Sequence, residues 1–201
     1  MERAYNFQLN TVGLDITDYT RNYYLTRLFN SLSILFPVGE KFFCSSIRHY
    51  RNDVPELEQE IKLFIQEEAY HSMQHKRLND ELKQAGYDID GLEKSIKLKL
   101  KLLGDKPETN LIITTCLEIF TQYGAELLIA IEGLVFKDNS ACDMWKWHAR
   151  EEAGHGHRTI AHKVMNKVAP ISNIKLALYF ILCMIILAVQ VGENYIELSK
   201  Y

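Results

Sequence analysis

The 201-residue sequence predicts one all-α domain, a four-helix bundle with extra helices at its N-terminal and C-terminal ends. Helical periodicity covers nearly the whole chain, and no stretch shows the sustained alternation of a half-buried strand. Only 4 prolines and 10 glycines interrupt it, so long helices are easy to place. A chain of this length can bury a substantial core in a single domain, 1–201.

Proline and glycine mark the predicted helix boundaries. A first helical region covers about 18–52 and is expected to bend at Pro37, which lacks a backbone donor. Further helices are predicted at about 55–85, 90–103, 106–136 and 141–168. A metal-binding core is expected within about 35–168, followed by an apolar helix over about 172–199.

Composition restricts the classes of partner. The formal net charge of -3 and the lack of a long basic run argue against nucleic acid. The 4 cysteines are widely separated and form no CxxC pair, so we expect reduced core thiols in a cytoplasmic protein.

One segment is strongly apolar. Residues 176–189 are all apolar, but the segment is shorter than the roughly 18 to 20 residues that span a bilayer. Burial within the protein is the preferred interpretation. A homodimer interface and association with a membrane surface are the alternatives.

Two copies of one motif carry the chemistry. The sequence EEAYH begins at Glu67 and EEAGH begins at Glu151, so each copy contains Glu-x-x-His. Residues three apart lie on one face of a helix, so this carboxylate and this imidazole point to one spot. A single such pair would be interpreted as part of a polar face. Two pairs, each one helix after a lone glutamate, indicate a site.

The lone glutamates lie in apolar sequence. Glu40 precedes Glu68 by 28 residues and Glu118 precedes Glu152 by 34, and either gap fits an antiparallel helix pair. A carboxylate in such surroundings is costly to bury unless it is paired or binds metal. The repeated pattern is the ligand set of ferritin-like di-iron and di-manganese bundles. The predicted ligands of two metal ions are therefore Glu40, Glu68, His71, Glu118, Glu152 and His155.

Other polar residues lie near the same helix faces. His148 precedes Glu152 by one helical turn and is the candidate seventh ligand; the alternative is a donor that orients a carboxylate. We expect His75 to orient a ligand, and Glu126 is the alternative to Glu118. Four further residues are expected to face solvent or to be structural: Glu67, Glu151, His157 and His162.

These motifs resemble a known family. Over about 35–162 the chain is similar to the bacterial family labelled "predicted metal-dependent hydrolase", of the ferritin-like di-iron superfamily. The resemblance implies a metal site and, by its label, a hydrolase. The extra histidine before the second motif also resembles the seven-ligand site of the ferritin-like arylamine N-oxygenases. The similar segments are FPVGEKFF from Phe36, RHYR from Arg48, QEEAYH from Gln66, EIFT from Glu118 and WHAREEAGH from Trp147.

Three functions suit such a site. Our first hypothesis is an oxidase or oxygenase in which two irons reduce O2 and oxidise a small or apolar organic substrate, with the electron donor left open. Manganese or a mixed metal pair is compatible with the same ligands. The second hypothesis is a hydrolase, in which two metals activate a water molecule. The third is ferritin-like iron storage, which the long N-terminal region and the apolar last helix fit poorly.

Overall fold

The computed structural model describes residues 7–200, apart from the side chain of residue 155, and this part of the chain folds into α-helices. The predicted all-α fold is thereby confirmed. The helices are α1 (Tyr23–Ser33), α2 (Phe36–His49), α3 (Glu58–Gln84), α4 (Ile89–Leu103), α5 (Pro107–Val135), α6 (Ser140–His155), α7 (His157–Val168) and α8 (Asn173–Glu197), with a 3-10 turn at Pro55–Leu57.

Local signals in the sequence set most of these boundaries. The side chains of Asn22, Asn139 and Ser172 accept hydrogen bonds from backbone N–H groups at the starts of α1, α6 and α8. Gly86 follows α3 with φ +99, a conformation that glycine adopts without steric cost. The bend predicted at Pro37 is a break between α1 and α2, and Pro37 lies in the first turn of α2.

The core of the bundle lies between α2, α3, α5 and the α6–α7 pair. Helix α2 packs on α3, α5 packs on α6 and α7, and α2 also contacts α5. Apolar side chains fill the interior at one end, with Ile47, Ile61 and Ile113 fully buried. Helices α1, α4 and α8 pack outside these four. All of the cysteines belong to the described part of the chain, are buried and form no disulfide, as predicted.

The predicted helix over 141–168 is two helices in the structure. Helix α6 ends at His155 and α7 begins at His157, with Gly156 between them at φ +72. Other L-residues pay a steric cost in this left-handed conformation, whereas glycine does not. The prediction of one continuous helix was wrong because Gly156 ends α6 instead of continuing it.

Gly156→Ala should destabilise the protein. We expect the free energy of unfolding to fall by about 1 to 2 kcal/mol, the cost of left-handed backbone for an L-residue. An added Cβ would meet only Thr159 at 3.6 Å, so crowding contributes little. Gly154→Ala is the control, since no atom lies within 4 Å of its Cβ position and alanine is favoured within helices. Equal losses of stability in both variants, measured by urea denaturation, would contradict the prediction.

Helix α8 packs on one face only. Cys183, Gln190 and Asn194 are buried against the rest of the protein. Helices α5 and α8 are both long and apolar enough to cross a membrane, with mean hydropathy 1.2 and 2.4, which supports membrane contact only weakly. In the most apolar 18-residue part of α8 only 11% of the residues are buried, whereas the corresponding share for α5 is 39%. Burial therefore accounts for one face of the segment 176–189, and the dimer and membrane alternatives concern the other face. Its exposed large side chains include Leu178, Ile181, Leu182, Ile185 and Val189.

Candidate metal centre

Four helices each bring one buried glutamate to the same region of the bundle. Glu40 lies on α2, Glu68 on α3, Glu118 on α5 and Glu152 on α6, and each is at most 5% exposed. In each case an apolar helix face carries the acid inward. The structure thus brings together the four carboxylates that the sequence analysis selected.

Burial and mutual repulsion shift the pKa of three of these carboxyl groups upward. Burial first, and then the neighbouring Glu68 and Glu152, raise the pKa of Glu40 well above its ordinary value. The same causes act on Glu118, whose pKa is also raised well above the ordinary value. Burial raises the pKa of Glu68 against the attraction of His157. A bound cation would relieve this repulsion, so the cluster has the electrostatics of a cation site.

Glu152 is the exception, because three imidazoles surround it. Burial would raise its pKa, but the charge of His157 and contacts with His148 and His71 hold it well below the ordinary value. Its Oε1 lies 3.2 Å from His148 Nε2, and 3.5 Å from both His71 Nδ1 and His157 Nδ1. Ring nitrogens from three helices therefore converge on one carboxylate oxygen.

His157 is a site residue that the sequence analysis missed. Its Nδ1 lies 2.7 Å from Glu68 Oε1, and its Nε2 lies 3.0 Å from Glu67 Oε2. Burial would lower the pKa of His157, but Glu152 and Glu68 outweigh this and raise it well above the ordinary value. Of the two expectations for His157 and Glu67, a solvent-facing or a structural position, burial of both side chains excludes the first. His162 is exposed, as expected.

The helix break explains why His157 was missed. In one continuous helix, His157 would be turned about 200° away from His155 and would leave the site face. Because α7 is a separate helix that begins after Gly156, His157 lies inside the carboxylate–imidazole cluster. The glycine at position 156 is the one sequence signal that points to this arrangement.

A chain of hydrogen bonds orients His148. The Nδ2 of Asn79 donates to the backbone carbonyl of Ser33 at 3.1 Å, so Asn79 Oδ1 accepts from Ser33 Oγ at 2.9 Å. Ser33 Oγ then accepts from His75 Nδ1 at 3.0 Å, which leaves His75 Nε2 to accept from His148 Nδ1 at 2.7 Å. Such hydrogen bonds fix the tautomer of a metal-binding imidazole. These are the contacts that the predicted role of His75 requires.

In the neutral ring, this chain leaves the Nε2 of His148 as an acceptor. It faces Oε1 of Glu152 at 3.2 Å and Oε1 of Glu40 at 3.8 Å. Acceptor atoms this close repel each other unless a metal ion lies between them, or unless the ring is charged and its Nε2 donates to Glu152, as in the contact that lowers the pKa of Glu152. Neighbouring ligands of one metal ion, each about 2.1 Å from it, lie about 3 Å apart. The spacing fits metal ligation.

Unsatisfied polar atoms give a second test of the fit. Among the described residues, no hydrogen-bond partner is found for either carboxylate oxygen of Glu40 and Glu118, although all four atoms are buried. The same holds for both ring nitrogens of His71. Leaving a buried polar atom unpaired costs about 1 to 3 kcal/mol, so such atoms are rare in native proteins. Metal ions that prefer carboxylate and imidazole ligands would satisfy them.

Two groups of side chains are compact enough to hold an ion each. Within each group one ligand atom per residue lies within 4.8 Å of the others. The groups are consistent with two metal ions, although in the second group both ring nitrogens of His75 are already used in the hydrogen-bond chain, which leaves Glu40 and His148 as its ligands. Glu118 belongs to neither group, and the side chain of His155 lies outside the described residues, so both stay predicted ligands. The first group is Glu68, His71, Glu152 and His157, and the second is Glu40, His75 and His148.

Fold and site together define an all-helical bundle protein with a buried carboxylate–imidazole cluster that could hold two metal ions. A family model described as "Predicted metal-dependent hydrolase" matches residues 2–200. The chain therefore belongs to this family, and the match extends well beyond the motifs at 35–162. No significant match to a curated protein or to a solved structure was found.

Glu118→Gln tests whether the cluster binds metal. Burial and the neighbouring Glu68 and Glu152 raise the pKa of Glu118 well above its ordinary value, which favours the neutral carboxyl group in the absence of metal, and glutamine resembles that form in shape and charge. We expect similar melting temperatures for the metal-free variant and wild type. With Mn(II) at 100 times its Kd, the wild type should gain about 5 to 10 °C, and the variant clearly less.

The control for this experiment is Glu126→Gln, an exposed acid on the same helix. It should keep the full metal-dependent gain, followed by circular dichroism during heating. A full gain in Glu118→Gln would exclude Glu118 as a ligand. No gain in the wild type would mean that the cluster does not bind the ion.

His157→Ala tests the residue that the helix break brings in. Loss of this imidazole should weaken Mn(II) binding by at least about tenfold, since even residues that only orient metal ligands contribute about 10- to 100-fold. His162→Ala removes an exposed histidine from the same helix and should leave the affinity unchanged. Affinities would be measured by competition with a fluorescent chelator. Unchanged binding in His157→Ala would show that His157 is only an ion-pair partner of the acids.

Proposed function

We propose that this chain is a metal-dependent hydrolase that acts at a centre for two divalent metal ions. The supporting observation is the buried cluster in which carboxylates and imidazoles face one another with acceptor atoms left unpaired. The description of the family favours hydrolysis. Divalent ions bound there would polarise a carbonyl oxygen and lower the pKa of a bound water molecule.

Each helix of the core would contribute to the centre. In this proposal His157 joins Glu68, His71 and Glu152 at one ion. Glu40 and His148 hold the second ion, Glu118 and His155 complete the two sites, and His75 orients His148. The set combines four carboxylates with four imidazoles, ligand types that suit iron and manganese. The ligand residues of the proposal are Glu40, Glu68, His71, Glu118, His148, Glu152, His155 and His157.

The surroundings of the cluster favour a neutral substrate. The cavities that border Glu40 and Glu152 are lined mainly by apolar side chains such as Phe36 and Phe120. The sequence has no glycine-rich loop of the kind that holds a phosphate group. A carboxylic ester or amide with an apolar acyl group would match the apolar walls. We therefore infer hydrolysis of an acyl compound rather than of a phosphate.

The proposal is tested with p-nitrophenyl butyrate, with p-nitrophenyl phosphate as the anionic comparison. Protein stripped of metal and reloaded with Mn(II), Zn(II) or anaerobic Fe(II) should release p-nitrophenol from the ester and not from the phosphate. Glu152→Gln should lose at least about tenfold in rate, because its carboxylate contacts several imidazoles of the centre. Ester hydrolysis that is independent of metal, or unchanged in Glu152→Gln, would contradict the proposal.

A second candidate is an O2-dependent oxidase or oxygenase, which the ligand set favours. Glu-x-x-His pairs with additional glutamates match di-iron and di-manganese carboxylate bundles. The apolar surroundings would also keep water away from a reactive oxidant. The Fe(II)-loaded protein distinguishes the two candidates on exposure to O2. Rapid O2 consumption with a transient visible absorption band, and no ester hydrolysis, would replace the hydrolase by the oxidase.

A further inference from the structure

We propose that the substrate carries an unbranched alkyl chain, which lies in a two-lobed apolar cavity beside the metal centre. The inference rests on the proposed function, since it names the substrate class of the same site. The first lobe lies between α2, α4, α5 and α8, and its volume is about 100 Å³. The second lobe lies between α1, α5 and α6, and its volume is about 230 Å³.

The two lobes adjoin each other. Leu32, Phe36, Phe120 and Thr121 line both of them, so these four side chains form a wall that the two spaces share. A slender chain can pass between such side chains more easily than a ring or a branched group. The shape therefore favours an extended, unbranched substrate over a compact one.

Each lobe also reaches the metal centre. Glu40 is part of the wall of the first lobe, and His148 and Glu152 are part of the wall of the second. A chain that runs from one lobe to the other therefore passes the proposed ligands of both ions. The reacting carbonyl group would lie at this crossing, with apolar chain on at least one side of it.

The charges near the cavity do not offer a site for an anionic head group. Lys99 lines the first lobe, but its ammonium group lies 2.6 Å from Glu193 Oε2 and donates to Gln190 Oε1 at 2.9 Å. The positive charge is thus already compensated. Burial of the chain therefore contributes to recognition, and it strengthens binding by about fourfold for each methylene group.

The test measures binding and not turnover. Mn(II)-loaded full-length protein is equilibrated with N-phenyl-1-naphthylamine, a neutral fluorescent probe, which is then displaced by unbranched alcohols of 6 to about 16 carbons. Displacement should improve by about fourfold per methylene until the cavity is full, and then stop improving. The chain length at which it stops is the readout.

Two pairs of variants assign this limit to the second lobe. Ala125 is buried in its wall, so Ala125→Val should shorten the limiting chain length, whereas Ala130→Val on the exposed side of α5 should not. Gly124 also lines the lobe, at its exposed edge, and its Cβ position has no neighbouring atom within 4 Å among the described residues outside its own stretch of helix. Gly124→Leu should therefore shorten the limit, and Gly133→Leu, whose Cβ position is equally open, should not.

The outcomes separate this inference from the proposed function. The same chain-length limit in Ala125→Val, Gly124→Leu and wild type would place the alcohols on another surface, such as α8, and overturn the inference. Absence of saturable probe binding would overturn it as well. A limit that shortens only in the two lobe variants supports it, even if the protein hydrolyses no ester. Metal-dependent hydrolysis of p-nitrophenyl acetate with no chain-length limit in binding would support the proposed function alone.

Discussion

The desolvation of four carboxylates at the centre of the bundle is the constraint on which the rest of the structure depends. Burial, and after it the repulsion of neighbouring carboxylates, raises the pKa values of Glu40, Glu118 and Glu68. A core filled with apolar side chains would be more stable without them. The acids therefore favour an arrangement in which cations or imidazoles stand close by, and this restricts how the helices can be placed relative to one another.

The chain meets this constraint in two ways. The break at Gly156 interrupts the helix and places His157 next to both Glu68 and Glu152. These two acids raise the pKa of His157, which makes its imidazole a charge partner for them. On the opposite side, the hydrogen-bond chain from Asn79 leads to His148 and presents its Nε2 to the carboxylates. One imidazole thus contributes charge, and another contributes a fixed lone pair.

The sequence predicted those parts of the structure that depend on local spacing. The helices follow from periodicity, and the Glu-x-x-His pair on α3 follows from the three-residue spacing of Glu68 and His71. The position of His157 could not be predicted in the same way, because it depends on where α7 begins and not on its distance from His155 along the chain. The exposure of α8 was missed for a related reason. Hydrophobicity shows that a face avoids water but does not show what covers it, and residues 7–200 cover only the inner face of α8.

The choice between hydrolysis and oxidation depends on whether water can reach the metal centre through the cavity, as well as on the ligands. Carboxylates and imidazoles can hold ions suited to either reaction. A hydrolase must admit water to the centre, whereas an oxidase gains from its exclusion. The second lobe has His148 and Glu152 in its wall and is the larger of the two, so space left beside an alkyl chain there offers the more direct path for a water molecule. A chain that left no such space would exclude water from the centre and favour oxidation. The length of chain that the cavity accepts therefore bears on the reaction as well as on the substrate.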